Sequence, residues 1–221
     1  ITDSYDNVGM DETIIVCRSN KRANNYNQGI RNTILWRDEE LSAGDFLMIV
    51  KNNYFWLPDE KQFNFIANGD IVELTRINKY VERYGYKFAN VGLKLPDHNN
   101  IEIEANIFLD TLTHQGPSLT SEENKQLFYS VMEDYADEKT RSKQYKKVKE
   151  DPFFNALQVK FAYAITCHKA QGGQWKHVYL DQGFINDEML SIDYLRWLYT
   201  GITRATEKLY LVNFNRNFFA E

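Results

Sequence analysis

AITCHKAQGGQWKHV, residues Ala164 to Val178, sets a threonine, a histidine, a lysine, glutamines and two adjacent glycines between two apolar segments. The run before it, VKFAYAIT, reads as a strand that delivers Thr166 to its carboxyl end. In open α/β sheets that end is where ligands bind. Thr166 and His168 can hydrogen-bond a phosphate or a sugar, and Lys169 adds charge. Gly172 and Gly173 let backbone approach a ligand closely, because no Cβ intervenes. Backbone N–H groups at a helix start also suit phosphates. A glycine-bearing loop with incidental polar residues would look the same from this stretch alone.

Outward from that loop, the chain alternates elements. HVYLDQ follows as a strand, DEMLSIDYLRWLYTGITRAT as a helix, and KLYLVNF as a closing strand. Near the start, TIIVC is a β-branched apolar run of the kind a buried strand shows. RSNKRANNYNQGIRNTIL after it reads as a helix capped near Ser19 or Asn20, with Ala23, Tyr26, Ile30 and Ile34 near helical spacing. Strand then helix at both ends is an α/β signature.

The middle has a different texture. DFLMIVKN, DIVELTRI, YKFANVGL and IEIEANIF are short β-rich runs separated by turn residues at Ala43-Gly44-Asp45, Asn68-Gly69-Asp70 and Pro96-Asp97-His98-Asn99. They predict a small barrel inserted into the α/β domain, with Asn68-Gly69 as a hairpin signal. Tyr54, Phe55 and Trp56 cluster there, as core filling or as a surface on which bases stack. From Ser121 to about Lys149 a helical stretch is expected, opened by a capping box at Thr120 to Glu123. Lys139, Arg141, Lys143, Lys146, Lys147 and Lys149 make it basic, as a solvated helix face or as a strip touching phosphates.

The predicted boundaries are 1–40 for the first part of an α/β domain, 41–120 for the barrel, 121–154 for a helical connector and 155–221 for the second part. Composition narrows the rest. The 221 residues are 43% hydrophobic, with 14 Tyr, 14 Phe and 4 Trp, which is ample core material. No apolar run approaches the roughly 18 residues of a membrane helix, so no membrane partner is expected. The start at Ile1, not Met, is what a fragment or a processed chain would show. Cys17 and Cys167 lie in apolar surroundings outside any Cys-x-x-Cys, which reads as buried thiols in a cytoplasmic protein. The four histidines have no metal-ligand spacing, so no metal site is expected. The net charge of −5 gives little non-specific attraction to phosphates, so any nucleic-acid contact must be local.

LYTGITRATEKLYLV, Leu198 to Val212, adds the second cluster. Thr203-Arg204 ends an apolar helix just before the last strand, where a planar, permanently charged guanidinium can reach phosphoryl oxygens or bond helix-end carbonyls. Together the two clusters resemble motifs V and VI of superfamily 1 helicases, whose usual forms are Thr-x-His-Lys-x-Gln-Gly-x-Glu and Tyr-x-x-x-Thr-Arg-Ala. Thr166 and Arg204 stand 38 residues apart. IIVCRSNKRANNYNQGIR is similar to motif IV, with Asn20, Asn27, Ile30 and Arg31 in place. AGDFLMIVKNNYF and FIANGDIVEL resemble barrel strands of the RecD/Dda-type branch of DNA helicases.

That resemblance implies a RecA-like, P-loop-NTPase-type second motor domain with an inserted SH3-like β-barrel. No Gly-x-x-x-x-Gly-Lys loop occurs here, so the chain alone is expected to be inactive as an ATPase. It implies ATP and Mg as cofactors, bound mainly by an N-terminal RecA-like domain of the same polypeptide. Arg204 matches the catalytic arginine that meets the γ-phosphate. Arg31, Gly172 and Gln174 match nucleotide-side positions; Thr166, His168, Lys169 and Gln171 match positions that hold single-stranded DNA. Gln174 departs from the usual Glu, which puts a ribose contact in doubt. The family further implies 5′→3′ translocation, a place in DNA repair or recombination, and, for exodeoxyribonuclease V α-like members, nuclease-complex subunits as partners. A non-catalytic nucleic-acid clamp and an RNA helicase of the same superfamily fit the same residues.

Overall fold

The computed structural model describes residues 1–57 and 64–219; residues 58–63 of the expected barrel segment, and 220–221, lie outside them. The elements run α1 (Thr2–Val8), β1 (Thr13–Cys17), α2 (Asn20–Gly29) with a π turn (Ile30–Ile34), β2 (Phe46–Ile49), β3 (Ile71–Arg83), β4 (Tyr86–Leu95), β5 (Ile101–Phe108), α3 (Asp110–Thr113), α4 (Ser121–Glu133), α5 (Arg141–Lys149), β6 (Leu157–Phe161), β7 (Ala164–Thr166), β8 (Trp175–Asp181), α6 (Ile192–Ile202) and β9 (Ala205–Val212). They form two compact units, Ile1–Asp38 with Ala162–Glu221, and Glu39–Phe161.

The first unit is a parallel sheet in the order β7-β1-β8-β9. Every residue of β1 is buried, as expected of an inner parallel strand covered on both faces. Ser19 caps α2, its Oγ accepting from Arg22 N, which satisfies one orphan donor of the helix start. Asn27 on α2 clamps the edge strand: its Nδ2 donates to Ala164 O at 3.0 Å and its Oδ1 accepts from Ala164 N at 2.7 Å. A two-sided bond of this kind replaces the ladder partner that an edge residue lacks. Strands β1, β7 and β8 end at Cys17, Thr166 and Asp181, with Cys17 opposite Thr166, so these residues share the carboxyl edge.

The second unit is a closed five-stranded barrel, β2-β3-β4-β5-β6. Leu47, Ile49, Leu74, Val91, Leu93 and Val159 are fully or almost fully buried in it. The expected helical stretch forms two helices, α4 and α5. Leu127 and Val131 of α4 and Val148 of α5 pack with Phe88 and Phe108 in one apolar cluster. The capping box is present: Glu123 N donates to Thr120 Oγ1 at 3.2 Å and Thr120 N to Glu123 Oε2 at 2.6 Å.

Three local expectations change. VKFAYAIT is not one strand. β6 closes the barrel and β7 joins the sheet, with buried Ala162 and Tyr163 between them. The apolar run is continuous because both ends enter a core, so hydrophobicity alone cannot mark where the chain changes sheets. Asn68-Gly69 does form a turn, with Gly69 at φ 112°, but inside a long excursion between β2 and β3. The tight hairpin is Tyr84-Gly85, at φ 56° and 77°, between the paired residues Arg83 and Tyr86. Two positive φ values match a type I′ turn, and a tyrosine in the first position hides it from sequence. The last helix is also shorter, Ile192–Ile202, capped by Ser191 and preceded by a separate 3₁₀ turn at Asp187–Met189.

Candidate functional site

The loop after β7 folds back on itself from Thr166. Lys169 N and Ala170 N donate to Thr166 O at 2.9 and 3.0 Å, and Gly173 N donates to Ala170 O at 3.2 Å. These bonds make one helical turn and a second tight turn. They bury Cys167 and Ala170 and leave His168, Gln171, Gly172 and Gln174 exposed, with Thr166 and Lys169 half-buried. Burial lowers the pKa of the Lys169 ammonium, because a desolvated cation is disfavoured.

The two glycines serve different physical needs. Gly172 sits at φ 89° with open space around it, a conformation that side-chain-bearing residues rarely adopt. Gly173 has no Cβ because the Trp175 ring is there: a Cβ would lie 2.5 Å from its Cη2. The pair therefore shapes the loop before any ligand is considered.

Arg204 closes the constellation. Its Nε donates to Thr200 O at 3.0 Å, its Nη1 to Gly173 O at 2.9 Å and its Nη2 to Thr203 Oγ1 at 3.0 Å. The backbone adds a tie, Trp175 N to Arg204 O at 2.9 Å. Thr200 O is one of the orphan carbonyls that a helix end leaves, so Arg204 caps α6 and holds the glycine loop at once. All three acceptors are neutral. Burial pushes the Cys167 thiol up to about 11, with the nearby Arg204 charge opposing it.

The structure thus joins Thr166, His168, Lys169, Gln171, Gly172, Gln174 and Arg204 through one loop and one helix end. Arg31 is reached from another element. It lies in the π turn after α2, 5% exposed, with its carbonyl accepting from Arg37 N at 2.8 Å.

A second polar group at the carboxyl edge escapes sequence reasoning. Asp181, fully buried at the end of β8, accepts from Arg22 Nη2 at 2.7 Å, Asn213 Nδ2 at 2.6 Å and Tyr26 OH at 3.1 Å. Burial and the adjacent carboxylate raise the Tyr26 pKa. The only trace in sequence is a charged residue ending an apolar strand; its arginine partner is 159 positions away. Arg18, just past β1, stacks over Tyr194 and Trp197 of α6 at 5.8 and 5.7 Å, a cation–π arrangement. Among the described residues, no group of three or more His, Cys, Asp and Glu could hold a metal ion. No helix of the described residues is long and apolar enough to cross a membrane.

Residues 161–212, which contain the whole loop, α6 and all of β9, match the UvrD-like helicase C-terminal domain. No curated protein sequence matches the chain. Among solved structures, similar folds include the Pif1 helicase from Candida albicans, at 14% identity and TM-score 0.49, over 95% of this chain and 47% of that one. A Pif1 helicase from Bacteroides, solved with ADP-AlF3 and single-stranded DNA, is similar at 12% identity and TM-score 0.49, over 99% of this chain and 45% of that one. The chain spans a little under half the length of each of these helicases. Likeness at this level assigns no residue a role.

Proposed function

We propose that the sheet unit is the second, RecA-like motor domain of an ATP-dependent helicase that translocates on single-stranded DNA, and that the barrel unit is its SH3-like insertion. The observation that carries this reading is the Arg204 guanidinium, bonded to three neutral acceptors, the Gly173 carbonyl among them. A phosphate oxygen is a stronger partner for that fork than any of them, since charge-assisted bonds are roughly twice as strong as neutral ones. A γ-phosphate that draws Arg204 away frees Gly173, and with it the loop that begins at Thr166. Nucleotide state and strand contact are then linked through one hydrogen bond. The match of residues 161–212 to the UvrD-like C-terminal domain supports the same reading.

In this scheme Arg204 stabilises charge on the transferring phosphoryl group, an effect worth about 10³–10⁵ in rate for arginine fingers. Thr166, His168, Lys169 and Gln171 hold the strand, while Gly172 and Gln174 face the nucleotide. Gln174 offers a neutral group to the ribose. Arg31, being buried, acts through the packing of the π turn. ATP and Mg are held by an N-terminal RecA-like domain carrying the Walker A loop. An apolar stripe on α6, exposed at Ile192, Leu195, Tyr199 and Ile202, supports a covering domain on the helix whose end Arg204 holds. A repair role, exodeoxyribonuclease-type partners and a cytoplasmic setting accompany this reading.

Single-strand affinity tests it. Thr166→Ala is expected to weaken binding of a labelled oligonucleotide by at least about tenfold, the loss of one hydrogen bond to a charged group. Wild-type affinity in that variant would remove the loop from the strand path.

A further inference from the structure

The barrel unit carries a polar and aromatic constellation that the loop around Gly172 does not touch. The chain leaving β2 turns at Asn53. Its Oδ1 accepts from Phe55 N at 2.9 Å and Trp56 N at 3.3 Å, and its Nδ2 donates to Asn155 O at 2.8 Å. Trp56 Nε1 donates to the same carbonyl at 2.7 Å. Asn53 and Ile66 also exchange backbone bonds at 2.9 and 2.8 Å. The backbone from 53 to 56 is fixed without using the side chains of Tyr54 or Phe55. These two rings stand outward, Tyr54 71% and Phe55 36% exposed. They are braced: Tyr54 lies 5.1 Å from Phe65 and Phe55 5.0 Å from Trp56, centroid to centroid.

A ring that is wet but already ordered has little conformational entropy left to lose on stacking. Beside the rings is a recess of about 230 Å³, smaller than the ~300–1,000 Å³ of ordinary cofactor sites. Its described lining includes Lys51 and Lys149 and no carboxylate, on a chain of net charge −5. Lys51 Nζ donates only to a neutral oxygen, Asn124 Oδ1 at 3.1 Å, among its described bonds. Exposed π-faces beside a recess lined by cations and no carboxylate match a polymer of flat bases on a phosphate backbone.

We infer that the barrel holds a second single-strand nucleic-acid contact, with one base stacked on Tyr54 and the adjoining phosphates against Lys51 and Lys149. The recess takes one nucleotide of a longer strand. This site is independent of the role proposed for the sheet unit.

The test is fluorescence anisotropy of labelled oligo(dT) and oligo(rU) on the whole chain, with Tyr54→Ala, Tyr54→Phe, Lys51→Ala/Lys149→Ala and Thr166→Ala side by side. Tyr54→Ala is expected to bind about tenfold more weakly, and Tyr54→Phe within about twofold of wild type, because stacking needs the ring and not the hydroxyl. The double lysine variant is expected to lower the slope of log affinity against log salt by about one for each lysine removed. Urea midpoints should stay put, since none of these side chains lies in the core. Loss on both polymers, or on one alone, supports the site and names its polymer. Wild-type affinity in Tyr54→Ala, equal loss in Tyr54→Phe, or no binding by wild type overturns it. A loss confined to Thr166→Ala overturns this inference and spares the sheet-unit reading; a loss confined to Tyr54→Ala does the reverse.

Discussion

The two units treat their surfaces differently. Among the described residues of the barrel unit, the large apolar side chains that stay exposed are aromatic: Tyr54, Phe55, Tyr80, Tyr129 and Tyr145. In the sheet unit they include aliphatics, among them Leu190, Ile192, Leu195, Ile202 and Leu211. A tyrosine keeps a polar tip in water, whereas an exposed leucine gains nothing there. The barrel closes on itself and covers its remaining face with α4 and α5. The sheet ends at β9, an edge strand with half of its residues exposed, and α6 turns an aliphatic stripe outward at helical spacing. One unit is complete by its own packing, and the other carries a face suited to cover.

The largest effect that would sharpen this contrast is in the barrel. Leu127→Ala empties a site that is 1% exposed between α4 and the aromatic cluster. It is expected to cost about 3 kcal/mol, read as faster hydrogen exchange throughout Glu39–Phe161. Exchange limited to α4 would mean that the helices are not part of the barrel's cooperative unit.

Next, Asp181→Ala removes the acceptor shared by Arg22, Tyr26 and Asn213. A loss of about 2 kcal/mol is expected in the urea midpoint of the sheet unit, below the 3–5 kcal/mol of fully buried pairs because Arg22 is partly in water. Smaller still, Ile192→Ser with Leu195→Ser is expected to shift stability by no more than about 0.5 kcal/mol each, read as the urea midpoint of the sheet unit. A larger destabilisation would mean that the stripe is already packed, and the contrast between the units would fail.

The smallest effect concerns pH. The bonds from Thr120 N–H and Thr120 Oγ1 hold the Glu123 carboxyl below its ordinary range. With the folded pKa depressed, its contribution is present above the unfolded value and fades as pH falls through the folded one. Thr120→Ala is expected to cost about 0.5 kcal/mol near neutrality, the low end for an N-cap because the pair is exposed, and to flatten the acid limb of the melting-temperature profile.

Much of this was legible because the signals were local. Ser19 and Thr120 sit next to the helices they cap, and TIIVC needed only its own composition to read as a buried strand. The glycine loop and Thr203-Arg204 stood out because polar residues crowd an otherwise apolar setting. What stayed hidden depended on distant partners or on unusual backbone. Asp181 meets Arg22 across 159 positions. Asn27 stands at a motif IV position, yet only the edge strand β7 shows what its amide binds. Tyr84 occupies a positive φ that its residue type disfavours. Gly173 looked like room for a ligand and proved to be room for an indole. The split of VKFAYAIT between sheet and barrel left no mark, because both cores ask for the same apolar residues.

The most direct test of the motor reading is ATP hydrolysis stimulated by single-stranded DNA, measured on a polypeptide that joins this chain to the proposed Walker A domain, with and without Arg204→Ala. The account predicts turnover in the wild type and a loss of at least about a hundredfold in the variant, at or just below the usual range for an arginine finger, with ATP still bound. Undiminished turnover in Arg204→Ala would contradict it and leave Arg204 as the cap of α6. Absence of DNA-dependent turnover in the wild type would favour a nucleic-acid clamp built on the same architecture.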